Sequence, residues 1–332
     1  MSEAVLRSPY PYFGGKRKVA PIVWRAFGDV PNYVEPFFGS GAVLLGRPQI
    51  GKIETINDIN AHVSNFWRAV RAEPDAVARY ADGAVNEADL HARHAWLVAG
   101  APAHRERMLS EPDYFDAKIA GWWVWGLCAW IGHGWCEPGR KASRQIPVLS
   151  VVNSGGGNGV HASSARLPAL GHSGRGSHSP EAGPLADWFG DLQTRLSRVR
   201  VACGDWTRVI SGAVTGATNT RENMGMIPCG VFLDPPYEGE EGVYVDGGAV
   251  AGAVREWALA NGDSPRLRIA LCGYEGASMP STWREHAWKA AGGYGNRNGG
   301  EANENARRER VWLSPHCLPL EDVQVGLFGA SR

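Results

Sequence analysis

The stretch GVFLDPPYEG, residues 230–239, sets an apolar run against an acid, two prolines and an aromatic. Val231, Phe232 and Leu233 read as a short buried strand. The proline pair stops it, because each ring fixes φ and removes an N–H donor. Asp234 therefore stands at the carboxyl end of a strand, the edge at which open α/β sheets bind ligands. Taken alone, the same letters also describe a strand followed by an ordinary tight turn. What surrounds them decides between the two.

Working outward, the same grammar recurs. NYVEPFFGSGAVLLG (32–46) reads as a short strand ending at Glu35, a glycine turn at Gly39 and Gly41, and a helix start. IETINDIN (53–60) is a second strand with Asp58 at its carboxyl end. From Ala61 to about Ile131, apolar residues fall at helical spacing, as at Val63, Phe66, Trp67 and Val70. Residues 150–184 are rich in Gly, Ser and His, and read either as a long loop ordered by a partner or as a surface linker. Strand character resumes in VRVACGDW and GVFLDPPY, followed by a helix through VREWALANG, a strand from Leu267 and a late strand in RRERVWLSP. Strands and helices alternating on both sides of an insertion predict an α/β domain with a mixed sheet, interrupted by a helical and loop-rich module.

A chain of 332 residues holds one large domain, or a domain with a sizeable insertion. Six scattered cysteines and the lack of an apolar leader or long apolar span suggest a reducing, cytoplasmic setting without a membrane. Formal net charge is zero, which argues against a nonspecific polycation, but the distribution is uneven. Residues 139–180 hold five Lys or Arg and no acid, and the segment YFGGKRKVAPIVWR is acid-free as well. The tryptophan cluster GWWVWGLCAWIGHGWC reads as core in preference to a nucleotide-stacking platform. Cys128, His133 and Cys136 match no familiar zinc spacing, so no metal is expected.

Glu35, Asp58, Asp205 and Asp234 each follow an apolar run, so all four should project from one sheet edge and frame a pocket. A glycine turn lets backbone approach a ligand closely, and an acid ending the second strand can accept both hydroxyls of a ribose. That combination fits a nucleoside-bearing cofactor. FGSG lacks the full dinucleotide spacing, and GGK at 14–16 lacks the Ser/Thr and upstream Gly of a phosphate loop. Neither NAD nor ATP is favoured.

In this order YFGGKRKVAPIV, YVEPFFGSGAVLL, INDIN, a long insertion, CGDW and LDPPY resemble the alpha group of amino-methylating DNA methyltransferases, the DNA adenine methyltransferase family. The resemblance covers residues 11–60 and 199 to about 315 well, and the insertion poorly. It implies a Rossmann-like S-adenosylmethionine-dependent methyltransferase fold, with a catalytic domain of residues 1–60 and 196–332 and an inserted helical and target-recognition region of residues 61–195.

The resemblance further implies that Tyr12, Phe13 and Lys16 pack on S-adenosylmethionine, Lys16 facing the methionine carboxylate. Glu35, Phe37, Gly39 and Gly41 would line the methionine and ribose side, Asp58 would accept the ribose hydroxyls, and Asp205 with Trp206 would flank the adenine. At the corner, the Asp234 carboxylate and the Pro235 carbonyl would accept the N–H groups of a target amine, with Pro236 adding rigidity and Tyr237 stacking on a flipped base. No cysteine nucleophile is required. In the insertion, Arg140, Lys141 and Arg144 are candidates for phosphates, and Asn158, Arg166 and Arg175 for base edges; any one of them can equally be a solvated loop residue. The implied substrate is adenine N6 in double-stranded DNA, with no obligatory protein partner and any restriction enzyme on a separate chain. Cytosine-N4 methylation, guanine-N2 methylation of RNA, and an inactive DNA-binding scaffold remain the alternatives.

Overall fold

The computed structural model describes residues 6–10, 12, 15–130, 135–136, 185–216, 228–236, 247–288 and 307–320. Five strands form a parallel array: β1 (Asn32–Glu35), β2 (Ile53–Asp58), β3 (Val199–Cys203), β4 (Cys229–Leu233) and β5 (Leu267–Tyr274). Two more, β6 (Arg284–Ala287) and β7 (Glu309–Leu313), extend it with β7 antiparallel to both β5 and β6. The order is β3-β2-β1-β4-β5-β7-β6, so the sheet is mixed, as expected from the sequence. The order in which the chain adds strands reverses between β1 and β4, which run parallel. This switch point opens a crevice at the carboxyl ends of the strands.

Both faces of the sheet are covered, which is why β1 and β4 are buried at every position. Successive side chains alternate between two cores. Phe232, Ala270, Cys272, Val311 and Leu313 face one, while Val231, Leu233, Ile269, Leu271 and Trp312 face the other. Each fully buried large side chain contributes about 1.5–3 kcal/mol. The pattern also fixes register, because a slip by one residue would exchange the two cores.

The helices in chain order are α1 (Ala20–Phe27), α2 (Ala42–Leu45), α3 (Ala61–Ala72), α4 (Pro74–Ala81), α5 (Glu87–Ser110), α6 (Ala117–Ala129), α7 (Leu185–Leu196), α8 (Gly212–Thr215) and α9 (Gly247–Asn261). Side-chain caps start three of them. Asn60 accepts from His62 N, Asn86 from Asp89 N, and Asp116 from Ile119 N. Residues from α1 to α7 share the first core with the sheet, and Val254 and Ala258 of α9 belong to the second. Gly230 of β4 packs closely under α1, since a Cβ there would lie 2.8 Å from the Phe27 ring.

Trp123, Trp125, Trp130 and Trp135 are buried, and Trp135 Nε1 donates to the Trp123 carbonyl at 2.9 Å. Those rings are core, as the sequence reading favoured. Several elements were not anticipated: α1, ahead of the first strand, α7, which follows the Gly/Ser-rich stretch, the short α8, and the short polar strand β6. Among the described residues no helix is long and apolar enough to cross a membrane.

Candidate active site

Glu35, Asp58 and Asp234 sit at the carboxyl ends of β1, β2 and β4, side by side around the switch point. Asp205 follows β3 by two residues, on the same edge. The register explains this convergence. Glu35 pairs with Ile56 and Asp58 with Cys203, so the parallel strands finish almost level. Asn57, which sequence reasoning overlooked, ties the ends together: its Nδ2 donates to the carbonyls of Pro36 and Gly204, both at 3.0 Å. A polar residue inside the apolar run of β2 was the available signal.

The glycine turn between β1 and α2 is held on every side. Gly39 N–H donates to Asp58 Oδ2 at 2.9 Å, and the Gly39 carbonyl accepts from Tyr10 Oη at 2.8 Å and Trp67 Nε1 at 3.0 Å. Gly39 has φ of 49°, and a Cβ on it would lie 2.6 Å from the Tyr12 ring. Only glycine accommodates both demands. Gly41, also left-handed, is the N-cap of α2. The N-terminal segment thus packs on the turn through Tyr10 and Tyr12.

Asp58 is buried. Besides Gly39 N–H, it accepts Asn60 N–H at 2.8 Å through Oδ1. Burial raises its carboxyl to about 6, against the lowering effect of those two N–H groups. A carboxylate has about four acceptor positions, so capacity for a further hydroxyl pair remains. Glu35 is buried more deeply. Burial holds its carboxyl well above the usual range, opposed by the Tyr33 hydroxyl, which donates at 2.8 Å, and raised further by Asp234. Phe37 and the buried Trp206 stand 6.2 Å apart between ring centroids, at 30°. Asp205 is exposed and caps the following turn, accepting from Thr207 N at 2.9 Å.

At the β4 corner Asp234 is half-buried and Pro235 buried. Lys16 Nζ lies 3.0 Å from Asp234 Oδ1, 3.7 Å from Glu309 Oε2, and 5.1 Å from the centre of the Trp288 ring. Burial alone would lower the Lys16 ammonium, but the two carboxylates hold it above the ordinary lysine range. Glu309, on β7, is a member of the site that the sequence did not disclose. Phe13, Tyr237, Arg140, Lys141, Arg144, Asn158, Arg166 and Arg175 lie outside the described residues, as does His133.

The cysteines offer no nucleophile. All six are free and buried. Cys229 follows Pro228, forming a Pro-Cys pair of the kind that ring-carbon methylation of cytosine employs, but it lies inside β4 with its thiol pushed up to about 12 by burial. A thiol so placed is inert.

Residues 12–95 match the family model of D12 class N6 adenine-specific DNA methyltransferases. The matched segment runs from Tyr12 through β1, the glycine turn and β2 into α5, and agrees with the resemblance read from the motifs. It indicates an adenine-specific DNA methyltransferase, acting on adenine N6 in DNA, and the seven-stranded mixed sheet is consistent with the methyltransferase fold. Methyltransferases of this kind use S-adenosylmethionine in general. The Asp234 corner lies beyond the match, so the sheet itself brings it beside the matched turn. No curated protein matches the chain.

Proposed function

We propose, with an N6 adenine-specific DNA methyltransferase as the premise, that the crevice between β1 and β4 transfers a methyl group to an adenine flipped out of double-stranded DNA. The observation that carries this reading is the Asp234-Pro235-Pro236 corner, rigid and level with the locked Gly39 turn across the switch point.

The side chains suit S-adenosylmethionine. Asp58 offers acceptors to a ribose, Phe37 and Trp206 offer flat faces to a purine with Asp205 at its edge, and Tyr12, Lys16, Glu35, Gly39 and Gly41 line the remaining wall, to which the sequence resemblance alone assigns Phe13. When bound, that cofactor supplies an electrophilic methyl group on a sulfonium. The protein's task is to make a poor nucleophile attack it. The adenine amine is weak because its lone pair is delocalised into the ring. Asp234 Oδ and the Pro235 carbonyl accept its two N–H groups and draw the lone pair out of conjugation. The nitrogen lone pair so exposed would take up the methyl group that a bound sulfonium supplies, and the N–H proton held by Asp234 would pass through that carboxylate to water. Fixed acceptors of this type stabilise developing charge without reorganising. Tyr237 stacks on the extruded base, and Arg140, Lys141, Arg144, Asn158, Arg166 and Arg175 contact the DNA from the inserted region, residues 61–195.

The first test is direct: incubate the protein with S-adenosylmethionine and unmethylated duplex DNA, digest to nucleosides and identify the product by mass spectrometry. N6-methyladenine is expected. N4-methylcytosine would retain the corner chemistry but show that Asp234 does not select the base. No methylated nucleoside would overturn the proposal in favour of RNA substrates or a scaffold.

Asp58 gives a second prediction. Its folded carboxyl, near 6, exceeds the ordinary 3.8, so the neutral acid is the form that the fold favours. Its contribution to stability is present below the ordinary range and is lost as pH rises through about 6. Cofactor binding has the opposite sign, because the carboxylate is the stronger acceptor; affinity should fall as pH drops through that value. His62 does not confuse the assignment, since burial lowers its imidazole to about 3. Calorimetry should find Asp58→Ala weaker in cofactor binding by about 10–100-fold at neutral pH, with the acid-side loss abolished. Unchanged affinity would place the ribose elsewhere.

A further inference from the structure

Asn57 is polar, yet it stands inside β2 with 1 % of its surface exposed. Its amide is satisfied on one side: Nδ2 donates to the carbonyls of Pro36 and Gly204, each at 3.0 Å, while Oδ1 meets no hydrogen-bond partner among the described residues. Both contacts are carbonyls, so the nitrogen has to face them and the oxygen has to point away. A buried acceptor without a partner is costly, and an apolar side chain in the strand would avoid that cost. What the amide supplies is a bridge between two loops.

Those loops carry the two rings offered to the cofactor purine. Pro36 follows β1 and precedes Phe37, and Gly204 follows β3 and stands two residues before Trp206. The backbone of β2 holds each loop once, because Phe38 N–H donates to the Asn57 carbonyl at 3.0 Å and Gly204 N–H to the Asp58 carbonyl at 3.1 Å. A loop held at one point can pivot about it. The amide adds a second point to each, so that Phe37 is bracketed by bonds to Asn57 and Gly204 is bonded through both its N–H and its carbonyl. The Phe37 and Trp206 rings, 6.2 Å apart at 30°, are an aromatic pair, closer than the roughly 7 Å that a planar base between two rings requires. A purine therefore lies against the pair or spreads it. In both cases the placement of the rings depends on Asn57.

We infer that Asn57 is a positioning residue for the cofactor: by bonding the Pro36 and Gly204 carbonyls with one nitrogen, it fixes Phe37 and Trp206 as a single surface for the adenine. Its amide is out of reach of solvent, so it acts through the two loops and not by touching the purine. This rests on the methyltransferase reading above.

S-adenosylhomocysteine, which lacks the methyl group, is a probe that does not turn over. Asn57→Leu keeps the branching at Cγ and loses both donors, and its affinity for that probe by calorimetry should fall at least about tenfold. The fluorescence of Trp206, taken as the difference between each protein and its Trp206→Phe counterpart, should be quenched by saturating probe in the wild type, and that quench should be largely lost in Asn57→Leu. A residue that only stabilises β2 would lower the urea midpoint and leave both readings of the folded protein unchanged. Asn57→Ser retains one donor on a shorter arm and should fall between; it carries the test if the leucine variant does not fold. Wild-type affinity in a folded Asn57→Leu protein overturns the inference. So does lost affinity with the Trp206 quench intact, which would put the effect at the ribose, or a wild-type protein that binds the probe without quenching Trp206. A wild-type protein that neither binds the probe nor methylates DNA defeats the methyltransferase reading itself, and the inference with it.

Discussion

Asp234→Ala is expected to lower the single-turnover rate of DNA methylation by about 10³-fold or more, while leaving S-adenosylmethionine affinity within a few fold. In the proposed mechanism the carboxylate is the acceptor that draws the adenine lone pair out of the ring, an interaction that strengthens as the new bond forms. Such losses fall on the rate and spare ground-state binding. The variant should fold, because Asp234 is only half-buried and Lys16 keeps Glu309 as a counter-charge. Asp234→Asn separates charge from shape. It retains one carbonyl acceptor on the same proline-fixed corner, so a rate between wild type and the alanine variant is expected. Measured by radiolabelled methyl incorporation with calorimetry in parallel, wild-type turnover in Asp234→Ala would end the proposed role. A joint collapse of rate and cofactor affinity would move Asp234 into the cofactor site.

Why the corner could be read from letters, and Glu309 could not, follows from where each interaction is encoded. Asp234, Glu35 and Asp58 each end an apolar run, and the parallel sheet brings strand ends level, so a local pattern becomes a shared edge. β4, at the centre of the sheet, is buried at every position and therefore reads as a continuous apolar stretch. β6 carries the opposite pattern. Arg284, Glu285, His286 and Ala287 alternate between half-buried and exposed at the antiparallel edge of the sheet, and four such letters resemble a loop. In RRERVWL, Glu309 looks like one more charge in a solvated run; Lys16, arriving from the other end of the chain, helps to make its burial tolerable. α7 was hidden by its neighbour, the Gly/Ser-rich stretch. Its hydrophobic residues Leu185, Phe189, Leu192 and Leu196 are nonetheless at helical spacing and all buried.

Glu54 presents the same kind of long-range encoding, and the second large effect is expected there. On β2, with its side chain 1 % exposed, it accepts Arg47 Nη1 at 3.0 Å and takes both ends of the Arg195 guanidinium, Nη1 at 2.7 Å and Nη2 at 2.9 Å. The arginines are equally committed: Arg47 donates to the Val30 carbonyl, and Arg195 Nη2 to the Leu44 carbonyl at 3.2 Å. One carboxylate therefore fastens α7 and the end of α2 to the sheet, directly behind the glycine turn. Glu54→Ala removes the carboxylate shared by two buried guanidiniums, leaving Arg47 with the exposed Asp29 at 3.8 Å, and should lower stability by about 3–5 kcal/mol, read from urea unfolding. Arg195→Lys should cost less, because one ammonium replaces a fork but keeps the charge. Replacing Arg47, Glu54 and Arg195 together by apolar residues of similar volume should recover part of the loss, though not all of it, since the Val30 and Leu44 carbonyls would then lack donors. A Glu54→Ala protein within about 1 kcal/mol of wild type would mean that water reaches the cluster. In that case the stiffness of the glycine turn has to come from Asp58, Tyr10 and Trp67 on its other side.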